Sequence, residues 1–234
     1  MGVRRFAVSL SLLLLSACSL SSAGTSTTPT PRASPTPTPT PLPDQDQVLV
    51  VQTGLGIYFL ETVPVAVIHN QASRHAAIGV EVDFTLLDHS GRPLDTVTSD
   101  PADLLPGQTA VVAANCNSTC TAATTAGAVI KVADWQENSA IPVLSVTGPT
   151  YRRDNGSKAG QGFVSGALQG PPSGAQTHLV VAAACYVGSD IVGGGERYPV
   201  SWTPNSIAAG TPLEVGVIVS RQPTSCTLNA LPGD

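Results

Sequence analysis

The chain has 234 residues and a formal net charge of −5, and charged residues make up only 12% of it. Lysine and arginine are too scarce to form the basic surface that a phosphate backbone requires, so nucleic acid is excluded as a partner class. Aromatic residues account for 4%, whereas valine, alanine, leucine and threonine are common, which favours sheets with thin, β-branched interiors. No hydrophobic stretch reaches the roughly 20 residues that a bilayer requires.

The first eighteen residues have the layout of an export signal. Arg4 and Arg5 precede an apolar run over residues 6–15, which is too short for a membrane-spanning helix. Leu15-Ser16-Ala17-Cys18 follows and resembles the bacterial lipobox. That resemblance implies cleavage after residue 17, lipid attachment to Cys18 and an extracytoplasmic protein anchored to the bacterial cell membrane. An ordinary secretory signal that carries a cysteine is the alternative.

Residues 18–46 are predicted to be a disordered tether between the lipid and a folded part. Seven prolines lie between Pro29 and Pro43, and most of them alternate with threonine. Such a segment cannot bury enough apolar surface to fold and favours extended polyproline II. A proline-rich ligand for a binding module and an O-glycosylated stalk are the alternatives to a spacer.

The chain then carries the two-residue alternation of β-strands. It is clearest over residues 80–87, where Val80, Val82, Phe84 and Leu86 fall on one face. Residues 88–91 and 105–108 contain Gly91 and Gly107 and are predicted to be turns. The predicted strands of this part are 48–51, 63–70, 80–87, 109–114 and 128–133, and no window favours a helix.

A second pass of the same layout begins after residue 149. Long alternating strands are predicted over 177–186 and 213–219, with a shorter one over 163–168, and glycine-containing turns again separate them. The repeated layout predicts an all-β chain with two small immunoglobulin-like β-sandwich domains, at 47–147 and 148–234.

The first copy resembles the FxLYD-type domain of bacterial exported proteins. The matching residues are Asn70, Phe84, Leu86, Asp88, Gly91, Pro106 and Gly107, while Leu87 stands where the family has tyrosine. The resemblance implies an immunoglobulin-like sandwich over about residues 63–113, and it implies no enzymatic activity because the matching positions belong to turns and core. The second copy is more divergent.

Four cysteines remain once Cys18 is assigned to lipid. An even number in an exported protein predicts disulfides, although four cysteines allow three pairings. Cys116 and Cys120 lie in one polar, turn-like stretch and are predicted to pair. Cys185 lies on the inward face of strand 177–186 in phase with Leu179, and Cys226 follows another strong strand, so these two are also predicted to pair.

The remaining reactive side chains predict no catalytic, metal or cofactor site. His69, His75, His89 and His178 lack the spacing of a metal motif, and a zinc site that combines Cys116 and Cys120 with histidines is less favoured than a disulfide. Asp95, Asp100 and Asp103 are predicted to be solvated turn residues. Residues 193–195, three consecutive glycines, are predicted to be a flexible hairpin loop rather than a phosphate loop.

Together these features predict a non-enzymatic surface lipoprotein with a binding or scaffolding role in the cell envelope. Its partners would be the membrane, through the N-terminal lipid, and an envelope protein or polysaccharide. The alternative is an accessory subunit or a cryptic hydrolase of envelope polymers, which a triad scattered along the chain would permit.

Overall fold

A computed structural model describes residues 46–116, 118–137, 141–154, 160–169, 178–197 and 209–233. The predicted signal peptide and almost all of the tether lie outside the described residues. Within the described part the only helical segment is a single 3₁₀ turn over Ser118–Cys120, and no helix there is long and apolar enough to cross a membrane. The protein is all-β, as the sequence predicts.

Fourteen strands, numbered in chain order, account for most of the described residues. They are β1 (Val48–Tyr58), β2 (Glu61–Asn70), β3 (His75–Leu87), β4 (Pro93–Thr98), β5 (Ala102–Leu104), β6 (Thr109–Ala113), β7 (Thr125–Lys131), β8 (Asp134–Glu137), β9 (Ser145–Arg153), β10 (Gln161–Gln169), β11 (His178–Val187), β12 (Asp190–Arg197), β13 (Pro212–Val219) and β14 (Ser225–Gly233).

Strands β1 to β8 form a sandwich of two antiparallel sheets. One sheet has the order β1-β2-β6, and the other is built around β3, which pairs with β4 and β5 along one edge and with β7 and β8 along the other. The alternation in β3 places Val80, Val82, Phe84 and Leu86 in the interior, as predicted, because successive side chains of a strand point to opposite faces. The predicted turns are also present, with φ of 80° at Gly91 and 68° at Gly107.

The side chain of Asn70 holds the end of β2 in place. Its side chain is fully buried and its Nδ2 donates to the carbonyls of His75, Leu104 and Leu105 at 3.0, 3.2 and 3.1 Å. Its Oδ1 accepts a hydrogen bond from the backbone N–H of Ala72 at 3.0 Å. A buried amide with both ends satisfied stabilises the fold, so Asn70 ties three segments of the sandwich together.

The second half of the chain forms one six-stranded sheet with the order β14-β11-β12-β13-β10-β9. The sheet curls, so that its edge strands β9 and β14 approach each other around a common interior. Leu179, Val181, Ala183 and Cys185 of β11 all point into that interior, which confirms the face predicted from their alternation.

The sheet β1-β2-β6 is covered on both faces. One face packs on β3, and the other packs Val63, Val65, Val111 and Ala113 against the outer face of the curled sheet, at Ala182, Ala184, Ile191 and Ile218. All described residues accordingly belong to one compact unit, residues 42–234. The predicted boundary between residues 147 and 148 falls inside this unit, and independent folding of the two halves stays a prediction.

The prediction for the three consecutive glycines at 193–195 needs correction. They lie inside strand β12 and are buried, so the prediction of a flexible hairpin loop was wrong. A side chain at Gly193 would collide with the carbonyl oxygen of Ile218, and one at Gly194 would come within 2.8 Å of Val65 Cγ2. Glycine is required here because the backbones and layers approach too closely for a Cβ atom.

Candidate binding cleft

A cleft of about 510 Å³ opens between the start of β2 and the strands β10 and β13. This volume lies within the range of sites that hold small molecules. Five separate segments contribute to its lining, which comprises Glu61, Thr62, Val63, Asn115, Cys116, Asp154, Gln161, Gly162, Phe163, Gly216, Val217 and Ile218.

One wall is braced by a short backbone bridge between β2 and the segment after β6. The N–H of Thr62 donates to the carbonyl of Cys116 at 2.9 Å, and the N–H of Cys116 donates to the carbonyl of Thr62 at 2.8 Å. The buried Thr62 hydroxyl also donates to the carbonyl of Cys120 at 3.1 Å. These bonds hold the backbone on either side of Glu61 and Asn115 at the cleft.

The opposite wall is formed by β10 and β13, in which Phe163 lies directly across from Gly216. A Cβ atom at Gly216 would meet no atom within 4 Å, so the glycine leaves open space beside the phenyl ring. The Arg152 guanidinium lies 4.8 Å from the centroid of that ring and 3.6 Å from Glu214 Oε2. Phe163 therefore offers an apolar surface whose position is fixed by its neighbours.

The charged side chains among the described lining residues are Glu61 and Asp154, and both are acidic. Gln161 connects them: its Nε2 donates to Glu61 Oε2 at 3.3 Å, and its carbonyl accepts from the N–H of Asp154 at 3.2 Å. The cleft thus combines two carboxylates and the amides of Gln161 and Asn115 with an aromatic wall.

The turn between β1 and β2 presents apolar side chains next to this cleft. Phe59 and Leu60 are 74% and 51% exposed, and Phe59 has a φ of 53°. Two-residue hairpin turns use positive φ, although it costs a bulky residue free energy. Tyr58 packs against Gly160, next to the lining residue Gln161. The turn therefore adds an apolar rim to a polar cleft.

The four cysteines are paired as predicted, Cys116 with Cys120 and Cys185 with Cys226. An ionisable group that approaches the first pair is Asp95, whose Oδ2 lies 3.9 Å from each sulfur and accepts a hydrogen bond from the Thr119 hydroxyl at 3.0 Å. Among the described residues a carboxylate, rather than the histidines considered above, would complete a metal site there. Cysteine binds zinc only as the thiolate, and the sulfurs of Cys116 and Cys120 are joined in a disulfide, so they are not zinc ligands in this structure.

The other candidate residues have separate structural partners. The Nδ1 of His69 lies 2.9 Å from the Thr109 hydroxyl, and the Nδ1 of His75 lies 2.8 Å from Asp46 Oδ1. The prediction that Asp95 and Asp103 occupy turns was wrong, because they lie on β4 and β5, where Asp103 accepts a hydrogen bond from the N–H of Gly79 at 3.0 Å.

Asp100 belongs to a carboxyl pair where the two halves of the chain meet. Glu196 of β12 accepts hydrogen bonds from the N–H groups of Asp100 and Ala113 at 3.1 and 3.0 Å. Burial, together with the neighbouring Asp100 charge, raises the pKa of Glu196 to about 8, and burial also raises the pKa of Asp100. Glu196 is therefore mostly protonated at neutral pH.

Asn229 of β14 makes a similar contact with β6, two residues before Ala113. Its Oδ1 accepts from the N–H of Val111 at 2.6 Å, and its Nδ2 donates to the carbonyl of the same residue at 3.2 Å. Side chains of the curled sheet thus satisfy the outward backbone groups of the edge strand β6, which would otherwise need water or another strand.

No protein-family model matches the chain, and a search of curated proteins found no match. The cleft and the carboxyl pair were both missed in the sequence, because their members lie far apart in the chain, from Glu61 to Ile218 in the cleft, and carry no spacing motif. The one local signal is Glu61, a charged residue directly after an apolar Phe59-Leu60 turn.

Proposed function

We propose that this protein is a non-enzymatic, lipid-anchored surface protein that binds another component of the cell envelope in the cleft between β2 and β10–β13. The signal and lipobox at residues 1–18 support the location. The cleft supports the binding role, because its polar groups are held by backbone bonds and its aromatic wall is fixed by strand pairing, so little order is lost when a ligand binds.

Lipidation at Cys18 is expected to be detectable directly. Labelled fatty acid should enter the wild-type protein and should be absent from Cys18→Ser when both are expressed in a bacterium and the protein is isolated. Cell fractionation should place the wild type with the membrane. Label in Cys18→Ser at the wild-type level would contradict the anchor and leave an ordinary secretory signal.

A cleft-filling variant tests the binding role. Gly216→Ile adds a side chain into the open space beside Phe163 at an extended position of β13, where a branched residue is favourable. Gly127→Ile is the matched control, because Gly127 lies on β7 with only the Thr85 carbonyl near its Cβ position, at 3.9 Å.

The mature lipoprotein in detergent should co-sediment with the insoluble polysaccharide of the envelope or bind a purified envelope protein. Gly216→Ile should reduce the apparent affinity about tenfold or more, which corresponds to about 1.4 kcal/mol, while Gly127→Ile should bind as the wild type does. Equal binding by both variants would show that the ligand binds outside the cleft.

The alternative, a hydrolase of envelope polymers, is favoured by one observation: Glu61 and Asp154 line the same cleft. Glycoside hydrolases perform acid and base catalysis with two carboxylates in one cleft. Release of new reducing ends from the bound polysaccharide by the wild type, and its loss in Glu61→Gln, would establish that activity in place of simple binding.

A further inference from the structure

The disulfide between Cys116 and Cys120 lies beside the carboxylate of Asp95. We propose that this disulfide is the oxidised form of a zinc site, and that its reduction by a dithiol creates a site for one Zn²⁺ ligated by Cys116, Cys120 and Asp95. The inference goes beyond the proposed function, because metal binding here does not depend on which ligand the cleft holds.

The three donor atoms already converge on one point. Asp95 Oδ2 lies 3.9 Å from the sulfur of Cys116 and 3.9 Å from that of Cys120, and the three atoms all lie within 4.8 Å of one another. Around a tetrahedral zinc with Zn–S bonds of about 2.3 Å and Zn–O bonds of about 2.1 Å, a sulfur and an oxygen ligand are about 3.5 Å apart. The carboxylate oxygen is therefore close to a ligand position before any metal binds.

The backbone allows the two sulfurs to separate once their bond is broken. A tetrahedral site places its sulfurs about 3.8 Å apart, and the Cα atoms of Cys116 and Cys120 are 5.9 Å apart, so rotation of the side chains is sufficient. Thr62 holds both cysteines independently of the disulfide. Its backbone exchanges two hydrogen bonds with Cys116, and its hydroxyl donates to the carbonyl of Cys120. Both ligands therefore keep their place after reduction.

The surroundings of the three residues suit a metal ion. Cys116 is 4% exposed and Cys120 is fully buried, whereas Asp95 is exposed, so the exposed side offers an entry path and room for water as the fourth ligand. The Thr119 hydroxyl donates to Asp95 Oδ2 at 3.0 Å, and the N–H of Thr96 donates to Oδ1 at 2.8 Å. Such bonds orient a ligating carboxylate.

The conversion is a two-electron step. The dithiol attacks the disulfide through a mixed disulfide and leaves as a disulfide itself, and two electrons and two protons pass to the cysteine sulfurs. Zinc binding then releases these two protons to water, because cysteine binds the metal as the thiolate. The bond closes a loop of sequence separation 4, against 41 for Cys185 and Cys226, so its reduction should cost the fold less stability.

The test uses the mature lipoprotein in detergent, reduced with a dithiol that is then removed under exclusion of oxygen. Co²⁺ serves as the spectroscopic substitute for Zn²⁺. The reduced wild type should bind one Co²⁺ per chain, with a thiolate charge-transfer band and the visible absorption of a tetrahedral site, and Zn²⁺ should displace it. The oxidised protein should show neither band, and Cys116→Ser with Cys120→Ser should lose both.

Asp95→Asn tests the carboxylate ligand. Competition with a chelator should show that the zinc affinity of the reduced variant is lower than that of the reduced wild type by about tenfold or more. Glu137→Gln, which changes an exposed carboxylate on β8, is the matched control and should retain the wild-type affinity.

Three results overturn the inference: no thiolate band in the reduced wild type, the same band in the double serine variant, or unchanged zinc affinity in Asp95→Asn. If the reduced chain unfolds without metal, Zn²⁺ should restore the circular dichroism of the β-sheets, since zinc sites couple binding to folding. Failure of Zn²⁺ to restore it also overturns the inference. Ligand binding in the cleft is measured on the oxidised protein, so its outcome is separate.

Discussion

Removal of the disulfide between Cys185 and Cys226 is expected to lower the free energy of unfolding by about 4 kcal/mol. The bond closes a loop of sequence separation 41, and its two residues lie directly opposite each other on β11 and β14 with their Cα atoms 4.1 Å apart. A cross-link of this span restricts the unfolded chain much more than it restricts two strands that are already paired. It also holds β14, an edge strand of the curled sheet, in register.

The bond between Cys116 and Cys120 supplies the matched comparison. Its sequence separation is 4, so the same entropy argument gives only about 2 kcal/mol. Cys185→Ala with Cys226→Ala should therefore destabilise the protein more than Cys116→Ala with Cys120→Ala, as measured by urea unfolding. Equal losses from the two double variants would show that side-chain packing, rather than loop closure, determines the effect.

The stability of the protein is expected to fall as the pH rises from about 4.5 to about 8, because of Glu196. A glutamate carboxyl that is open to water has a pKa of 4.5, and burial raises the pKa of Glu196 to about 8 in the folded protein. Over this interval the folded state keeps a proton that the unfolded chain has already released, so each increase in pH favours unfolding. The stability lost between these two pH values should be on the order of 4 kcal/mol.

Glu196→Gln isolates this contribution. The amide does not ionise, so the free energy of unfolding of the variant should change much less across the same interval. At pH 5 the variant should be less stable than the wild type by about 1–2 kcal/mol, because an amide nitrogen cannot accept one of the two backbone hydrogen bonds that the carboxyl accepts.

Urea unfolding at several pH values measures both effects. Glu137→Gln should keep the wild-type slope. A wild-type stability that does not change between pH 5 and pH 8, or a variant with the same slope as the wild type, would contradict the assignment to Glu196.

The contact that contains Glu196 also shows how the two halves are joined. Glu196 and Asn229 bond to the outer edge of β6, while Val65 and Ile191 belong to the apolar layer behind it. The edge of the first sheet is thereby covered by polar side chains instead of by a further strand, which prevents pairing with other chains. Loss of the Glu196 proton would place a charge in this buried contact and weaken it.

Local patterns in the sequence predicted the strands and turns that depend on residues close together in the chain. The alternation of Val80, Val82 and Phe84 predicted β3, because one face of that strand packs on a core and the other meets solvent. Gly91 and Gly107 predicted their turns because both have positive φ. Cys185 could be assigned to the interior from its phase with the apolar residues of β11.

Only the tertiary structure decided the elements that depend on distant partners. Strand β12 has no apolar alternation through its glycines, and it is a strand because it pairs with β11 and β13. The neighbouring backbones and the layer behind it leave no room for side chains there. In the sequence, nothing near Asp100 or Glu196 distinguishes them from ordinary surface carboxyls. Only folding brings the two residues together. The cleft arises in the same way, because Glu61, Asp154 and Phe163 meet through sheet packing, and no local pattern encodes a contact between residues that far apart.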